Sequence, residues 1–232
     1  MHVPDGFLDA PTSVATGVVA AVGIGLALRG ARRELDDRTA PLAGLVATFI
    51  FATQMLNFPV GAGTSGHLLG GALAAVLVGP ATALLCMSVV FLVQCLLFAD
   101  GGITALGTNI FLMGIVTVLV GWAVFRGLQM VLPQRVSSVP AAAAGAALVS
   151  VPVAALAFVG LYAVGGTVDI PLVSLTTAML SVHALIGLGE AAITFLAVGS
   201  IVAVRPDLVY GARRVLATRS LELRTAAKRG AP

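Results

Sequence analysis

Three histidines stand in this chain, His2, His67 and His183, and the first directly follows the initial methionine. A free amine on Met1, the amide nitrogen of His2 once deprotonated, and Nδ1 of the His2 imidazole can close around one ion as a five-membered ring fused to a six-membered ring. Three nitrogens then share a plane, a donor set that suits Ni²⁺ or Cu²⁺, while imidazole also suits Co²⁺. The opening Met1-His2-Val3-Pro4-Asp5-Gly6-Phe7-Leu8-Asp9 lacks the basic start and small-residue cleavage site of a signal peptide, and the bulk of His2 disfavours removal of Met1. Pro4 pushes Val3 towards extended geometry and Asp5-Gly6 reads as a turn, so this segment is expected to fold back over whatever follows. The plainer alternative makes His2 an ordinary terminal residue.

A planar site needs a fourth donor. His67 lies in the loop Phe58-Pro59-Val60-Gly61-Ala62-Gly63-Thr64-Ser65-Gly66-His67, and reads either as that ligand or as a hydrogen-bonded membrane histidine. Its pairing with Met1-His2 favours the ligand. Gly61, Gly63 and Gly66 spell G-x-G-x-x-G, but no strand is expected before them and no βαβ unit fits, so they read as a tight loop rather than a dinucleotide site. His183 and Glu190 are seven apart, on one helical face. They form either a second metal or proton site or, the preferred reading, an interhelical hydrogen-bonded pair, and their depth argues against a place beside Met1 and His67. Gln54, Asn57, Gln94, Asp100 and Asn109 are polar points that either support the ligand loops, with Asp100 accepting from an imidazole N–H, or satisfy one another across helices.

The elements that position these residues follow from composition. Of 232 residues, 59% are hydrophobic and 10% charged. A soluble domain carries about 25% charged residues, so the chain belongs in a membrane, and without ten-residue alternation it is not a barrel. The expected fold is an all-α polytopic bundle. Apolar runs at about 12–29, 41–58, 67–79, 81–99, 103–125, 139–164 and 174–204 give seven segments, the third short of a full span. All 13 basic residues fall between runs one and two, between five and six, or after seven. The N-terminus is therefore expected outside and the C-terminus in the cytoplasm, with Asp5, Asp9, Asp100 and Asp169 as the external carboxylates. The chain divides into an external chelating segment 1–11, a transmembrane bundle 12–204 and a basic cytoplasmic tail 205–232. Cys86 and Cys95 are packing residues on one helix. The single lysine, Lys228, belongs to no phosphate-binding loop, so no ATP hydrolysis is expected here.

Met1-His2 with Pro4-Asp5-Gly6-Phe7-Leu8, the loop Gly63-Thr64-Ser65-Gly66-His67-Leu68, Gln94 to Phe98 leading into Asp100-Gly101-Gly102-Ile103-Thr104-Ala105-Leu106-Gly107, and Asn109 closely resemble the CbiM/NikM family over the whole membrane region. These are the substrate-capture components of energy-coupling-factor transporters for cobalt and nickel. The resemblance implies a four-nitrogen site from the Met1 amine, the His2 amide and imidazole, and His67, with Ser65, Asp100 and Asn109 in support. It implies Ni²⁺ or Co²⁺ as cargo with no cofactor, a multi-pass place in a bacterial or archaeal plasma membrane, and no nucleic-acid partner. A transmembrane coupling subunit, ATPase subunits and a small accessory membrane subunit are the implied partners. Leu112 stands where an asparagine is expected. Two rivals belong to other classes: a self-sufficient secondary metal transporter or channel, which needs relays through several spans, and an intramembrane metal-dependent enzyme, for which Ser65 is a weak nucleophile.

Overall fold

The computed structural model describes residues 1–37, 39–61 and 64–218. Its long elements are helices: α1 (Ala10–Glu34), α2 (Ala40–Gln54), α3 (Gly71–Val78), α4 (Pro80–Phe98), α5 (Leu106–Asn109) running through a π-helical stretch Ile110–Val116 into α6 (Thr117–Val131), α7 (Val139–Gly165) and α8 (Leu172–Val204). Five segments are long and apolar enough to cross a bilayer, whereas α2 has 15 residues and α3 has 8. The seven apolar runs thus resolve into five elements of spanning length and two shorter helices.

The second run was expected to continue to residue 58 but ends at Gln54. Pro59 disfavours helix at Phe58, and there the chain becomes strand β1 (Phe58–Gly61), paired antiparallel with β2 (Thr64–Gly66), Phe58 opposite Gly66. The expectation that no strand precedes Gly61 is therefore corrected. The hairpin lets an apolar loop satisfy its backbone groups internally, and it delivers His67 directly into the bundle.

All eight residues of α3 are buried, as befits a helix that is apolar all round. Its neighbours come close because the contacts are made by small residues. A Cβ on Gly71 would collide with Thr117, and one on Gly121 would sit 2.6 Å from Cβ of Ala72. Along α7, the buried Ala142, Ala143, Ala146, Ala147, Ala154 and Ala155 allow equally close packing, and Gly187 of α8 lies against the Leu148 carbonyl and Pro152. Outward faces are the reverse: Val14, Val18, Val22 and Leu26 on α1 and Leu185, Leu188 and Leu196 on α8 are exposed. Apolar surface of that extent suits contact with lipid or with a partner inside the membrane.

Candidate metal centre

The first nine residues are tied down in two stages. Asp9 caps α1 by accepting from Thr12 N at 2.9 Å, and its own N–H donates to the Gly165 carbonyl at 2.7 Å. Leu8 bridges to Gly166, Thr167 N donates to Phe7 O, and the Phe7 ring packs on Phe158 and Tyr162. Gly6, with φ +75°, then reverses the chain so that residues 3 to 1 plunge inward. Asn109 receives them: its Oδ1 accepts from Val3 N at 2.7 Å and its Nδ2 donates to Val3 O at 3.1 Å, while Gly102 N donates to Val3 O at 2.9 Å. One carboxamide thus acts as a neighbouring strand would. Met1 ends 1% exposed and His2 8%.

At that depth the two loop histidines meet. The rings of His2 and His67 stack with centroids 4.5 Å apart. His67 is fully buried and its Nδ1 lies 2.8 Å from the Leu68 carbonyl. A carbonyl only accepts, so Nδ1 carries the hydrogen and Nε2 keeps the lone pair. Among the described residues that Nε2 has no hydrogen-bond partner, and neither has Nδ1 of His2. His2 Nε2 lies 3.1 Å from Gln94 Oε1. Two buried nitrogens without partners on adjacent rings are polar groups that an ion or a water would satisfy.

Burial disfavours the protonated forms of the Met1 amine and of His67. Burial pushes the Met1 amine down from 8.0 to about 5, with the Asp100 charge working in the opposite direction. Burial is also the first reason that His67 lies well below its ordinary value, followed by the charges of the Met1 amine and His2, with His183 a smaller contributor. Asp100 Oδ1 lies 3.1 Å from His2 Nδ1, on the imidazole edge from which it was expected to accept, though without an aligned hydrogen bond. Its contact with the His2 ring still holds the carboxyl below the usual range. The backbone bends sharply here, Ala99 at φ 52° and Gly101 at φ 90°. A Cβ on Gly101 would meet Asn109 Nδ2 at 2.8 Å, and one on Gly102 would collide with the backbone nitrogen of Asp5.

His183 and Glu190 require a correction. They do not bond to each other: His183 Nδ1 donates to the Met179 carbonyl of its own helix at 2.8 Å, whereas Glu190 accepts from Leu69 N at 2.7 Å and Gly70 N at 2.9 Å. Nor does depth separate them from the other histidines. The inserted N-terminus carries the site down to their level, close enough for the Met1 amine to act electrostatically on His183. Glu190 grips the backbone that follows His67.

Among the described residues, no three His, Cys, Asp or Glu side chains are grouped to hold a metal ion.

The model of the family described as "Cobalt uptake substrate-specific transmembrane region", CbiM, matches residues 2–208. The chain belongs to the CbiM family. A putative metal transport protein of Haloquadratum walsbyi is 42% identical over 212 residues, 90% of this chain and 94% of the relative. A putative fused nickel transport protein, NikMN, of Archaeoglobus fulgidus is 39% identical over 216 residues, 90% of this chain and 68% of the relative. The crystal structure of a truncated transition metal transporter superposes with a TM-score of 0.77 at 29% identity, covering 88% of this chain and 99% of that one. This CbiM member is thus a multi-pass membrane component of cobalt or nickel transport and not an enzyme.

Three features of this CbiM protein's site escaped sequence reading. Glu190 was separated from His67 by depth, Gln94 was one of several equivalent polar points, and the π-helical stretch begins immediately after Asn109. A π turn is a frequent companion of functional sites, but no residue type announces it. Leu112, within that stretch, is fully buried. Ser65 pairs with Pro59 in the hairpin, and its side chain lies outside the described residues, as do 219–232 of the basic tail.

Proposed function

We propose that this protein is the substrate-specificity component that captures Ni²⁺ or Co²⁺ outside the cell for ATP-driven uptake by an energy-coupling-factor transporter. The cargo is held in a plane of four nitrogens: the Met1 amine, the His2 amide and Nδ1, and His67 Nε2. The observation that carries this reading is the stacked pair His2 and His67, each with one buried nitrogen lacking a partner among the described residues, beside a buried terminal amine. A d⁸ ion favours four nitrogens in a square plane, and an ionised amide strengthens that preference, so Ni²⁺ is the better fit.

The amide contributes one negative charge, leaving a net charge of +1 on the loaded centre, which Asp100 offsets at 3.1 Å from the His2 ring. The N-terminus faces outside and the basic loops and tail face the cytoplasm. A transmembrane coupling subunit, ATPase subunits and a small accessory membrane subunit supply the energy, since this chain has no phosphate-binding loop. The test is a variant retaining one extra residue before Met1. It keeps both histidines but moves the amine out of the chelate, and Ni²⁺ affinity measured by titration should fall by about 100-fold or more, equivalent to about 2.7 kcal/mol. Unchanged affinity would rule out the terminal chelate.

A further inference from the structure

A line of hydrogen bonds crosses the bundle from His2 to the loop that carries His67. His2 Nε2 lies 3.1 Å from Gln94 Oε1; Gln94 Nε2 donates to Gln54 Oε1 at 2.9 Å; Gln54 Nε2 donates to the Leu69 carbonyl at 2.7 Å. Both glutamines are fully buried, on α4 and α2. The line has only one self-consistent sense. Leu69 O accepts and cannot donate, so Gln54 must turn its nitrogen to it and its oxygen to Gln94. Gln94 then gives its nitrogen to Gln54 and keeps its oxygen for His2. An amide oxygen also only accepts, so His2 Nε2 carries the hydrogen; in the neutral ring Nδ1 then keeps the lone pair, against the pull of Asp100 Oδ1, 3.1 Å away, which competes for the proton. Reversing either amide sets oxygen against oxygen or N–H against N–H where water cannot repair the mismatch.

We propose that Gln54 and Gln94 are positioning residues that lock His2 as the Nε2–H tautomer, referenced to the Leu69 carbonyl. The neighbouring Leu68 carbonyl fixes the opposite tautomer of His67 through Nδ1. Two consecutive peptide units therefore dictate which nitrogen each histidine offers, and Glu190 holds that same segment by the Leu69 and Gly70 N–H groups. The choice matters because only Nδ1 of a second residue reaches the ion held by its own amide nitrogen; an Nδ1–H tautomer blocks the chelate. The inference rests on His2 and His67 as ligands of the captured ion.

The test reads the tautomer directly. In metal-free protein carrying ¹⁵N-labelled histidine, with the His2 resonance assigned against the single histidine variants, imidazole nitrogen shifts should show one Nε2–H form. Gln54→Leu, which leaves the Gln94 contact with His2 intact, should mix the tautomers and weaken Ni²⁺ binding about tenfold, within the usual range for a residue behind a ligand. Gln94→Glu keeps an acceptor and should retain the tautomer, while Gln94→Lys offers only donors and should drive the hydrogen to Nδ1 with a larger loss of affinity. If Gln94→Lys does not fold, Gln54→Leu and Gln94→Glu decide the question. An Nδ1–H form in the native protein, or a Gln54→Leu variant with unchanged tautomer and affinity, overturns the lock. If Gln54→Leu mixes the tautomers while an N-terminal extension leaves affinity intact, the lock stands and the chelate reading fails.

Discussion

His2 lies face to face with His67, ring planes 28° apart and centroids 4.5 Å apart. An imidazole holds a metal ion in its own plane, and two nearly parallel planes at that spacing cannot both contain one ion. Binding must therefore open the stack. A structure of the Ni²⁺-loaded protein should show one ring swung out by several tens of degrees, with His67 Nδ1 still on the Leu68 carbonyl. A loaded structure that retains the stack would place the ion elsewhere.

His67→Ala should weaken Ni²⁺ binding about 100-fold or more, and His183→Ala by less than about tenfold. The first removes a nitrogen lying against His2. The second removes a ring whose hydrogen bond stays within its own helix, although the two histidines share a level of the bundle. Equal losses in parallel titrations would make His183 a ligand.

Asp100→Asn should lower affinity by about 10- to 100-fold without unfolding the bundle. The carboxylate touches the His2 ring and is about one-fifth exposed, so it compensates the positive centre at little structural cost. Titration alongside thermal unfolding checks both halves of the expectation.

Gly102→Ala should expel the N-terminal segment. The new methyl group collides with the backbone nitrogen and the carboxyl of Asp5. Asn109→Leu should act similarly by removing both bonds to Val3, at about 1 kcal/mol each. Loss of hydrogen-exchange protection at Val3, with protection retained in α3, is the expected pattern.

Docking of that segment should depend on pH in a defined direction. The amine titrates at 8.0 when exposed and at about 5 when docked, because burial penalises its charge. Between these values the undocked form binds the extra proton, so docking strengthens as pH rises from 5 to 8 and is lost as pH falls. The whole effect is about 4 kcal/mol. Protection of the Val3 amide should follow this curve and level off below about pH 5. Near pH 7.5 the docked amine and His67 are already neutral, so their contribution to proton release on Ni²⁺ binding should be close to zero, leaving the amide proton. A fully exposed chelate would release the amine proton as well. Calorimetry in buffers of different ionisation heat counts the difference.

Much of the architecture was legible because lipid exposure leaves a simple compositional trace. The short third run and the Asp5-Gly6 turn were readable for local reasons, length and backbone chemistry. What could not be read was depth. Hydropathy assigns His183 and Glu190 to the middle of a helix and Met1 to a terminus, and nothing in the sequence says that three residues of the terminus descend to meet them. The partner of Glu190 was hidden for a related reason: it bonds to the backbone of Leu69 and Gly70, and any residue type presents the same N–H. Gln54 and Gln94 were visible as polar points, but the direction of their amides exists only once the Leu69 carbonyl is in place.

The bond from Glu190 to the turn after His67 also sets a schedule for biogenesis. The turn enters the membrane early in synthesis, and the carboxylate that satisfies it arrives with α8, some 120 residues later. Until α8 is inserted, Leu69 and Gly70 lack their acceptor, and the frame on which both histidines depend is unfinished. A chain without α8 therefore leaves those two N–H groups without the carboxylate that receives them in the finished bundle.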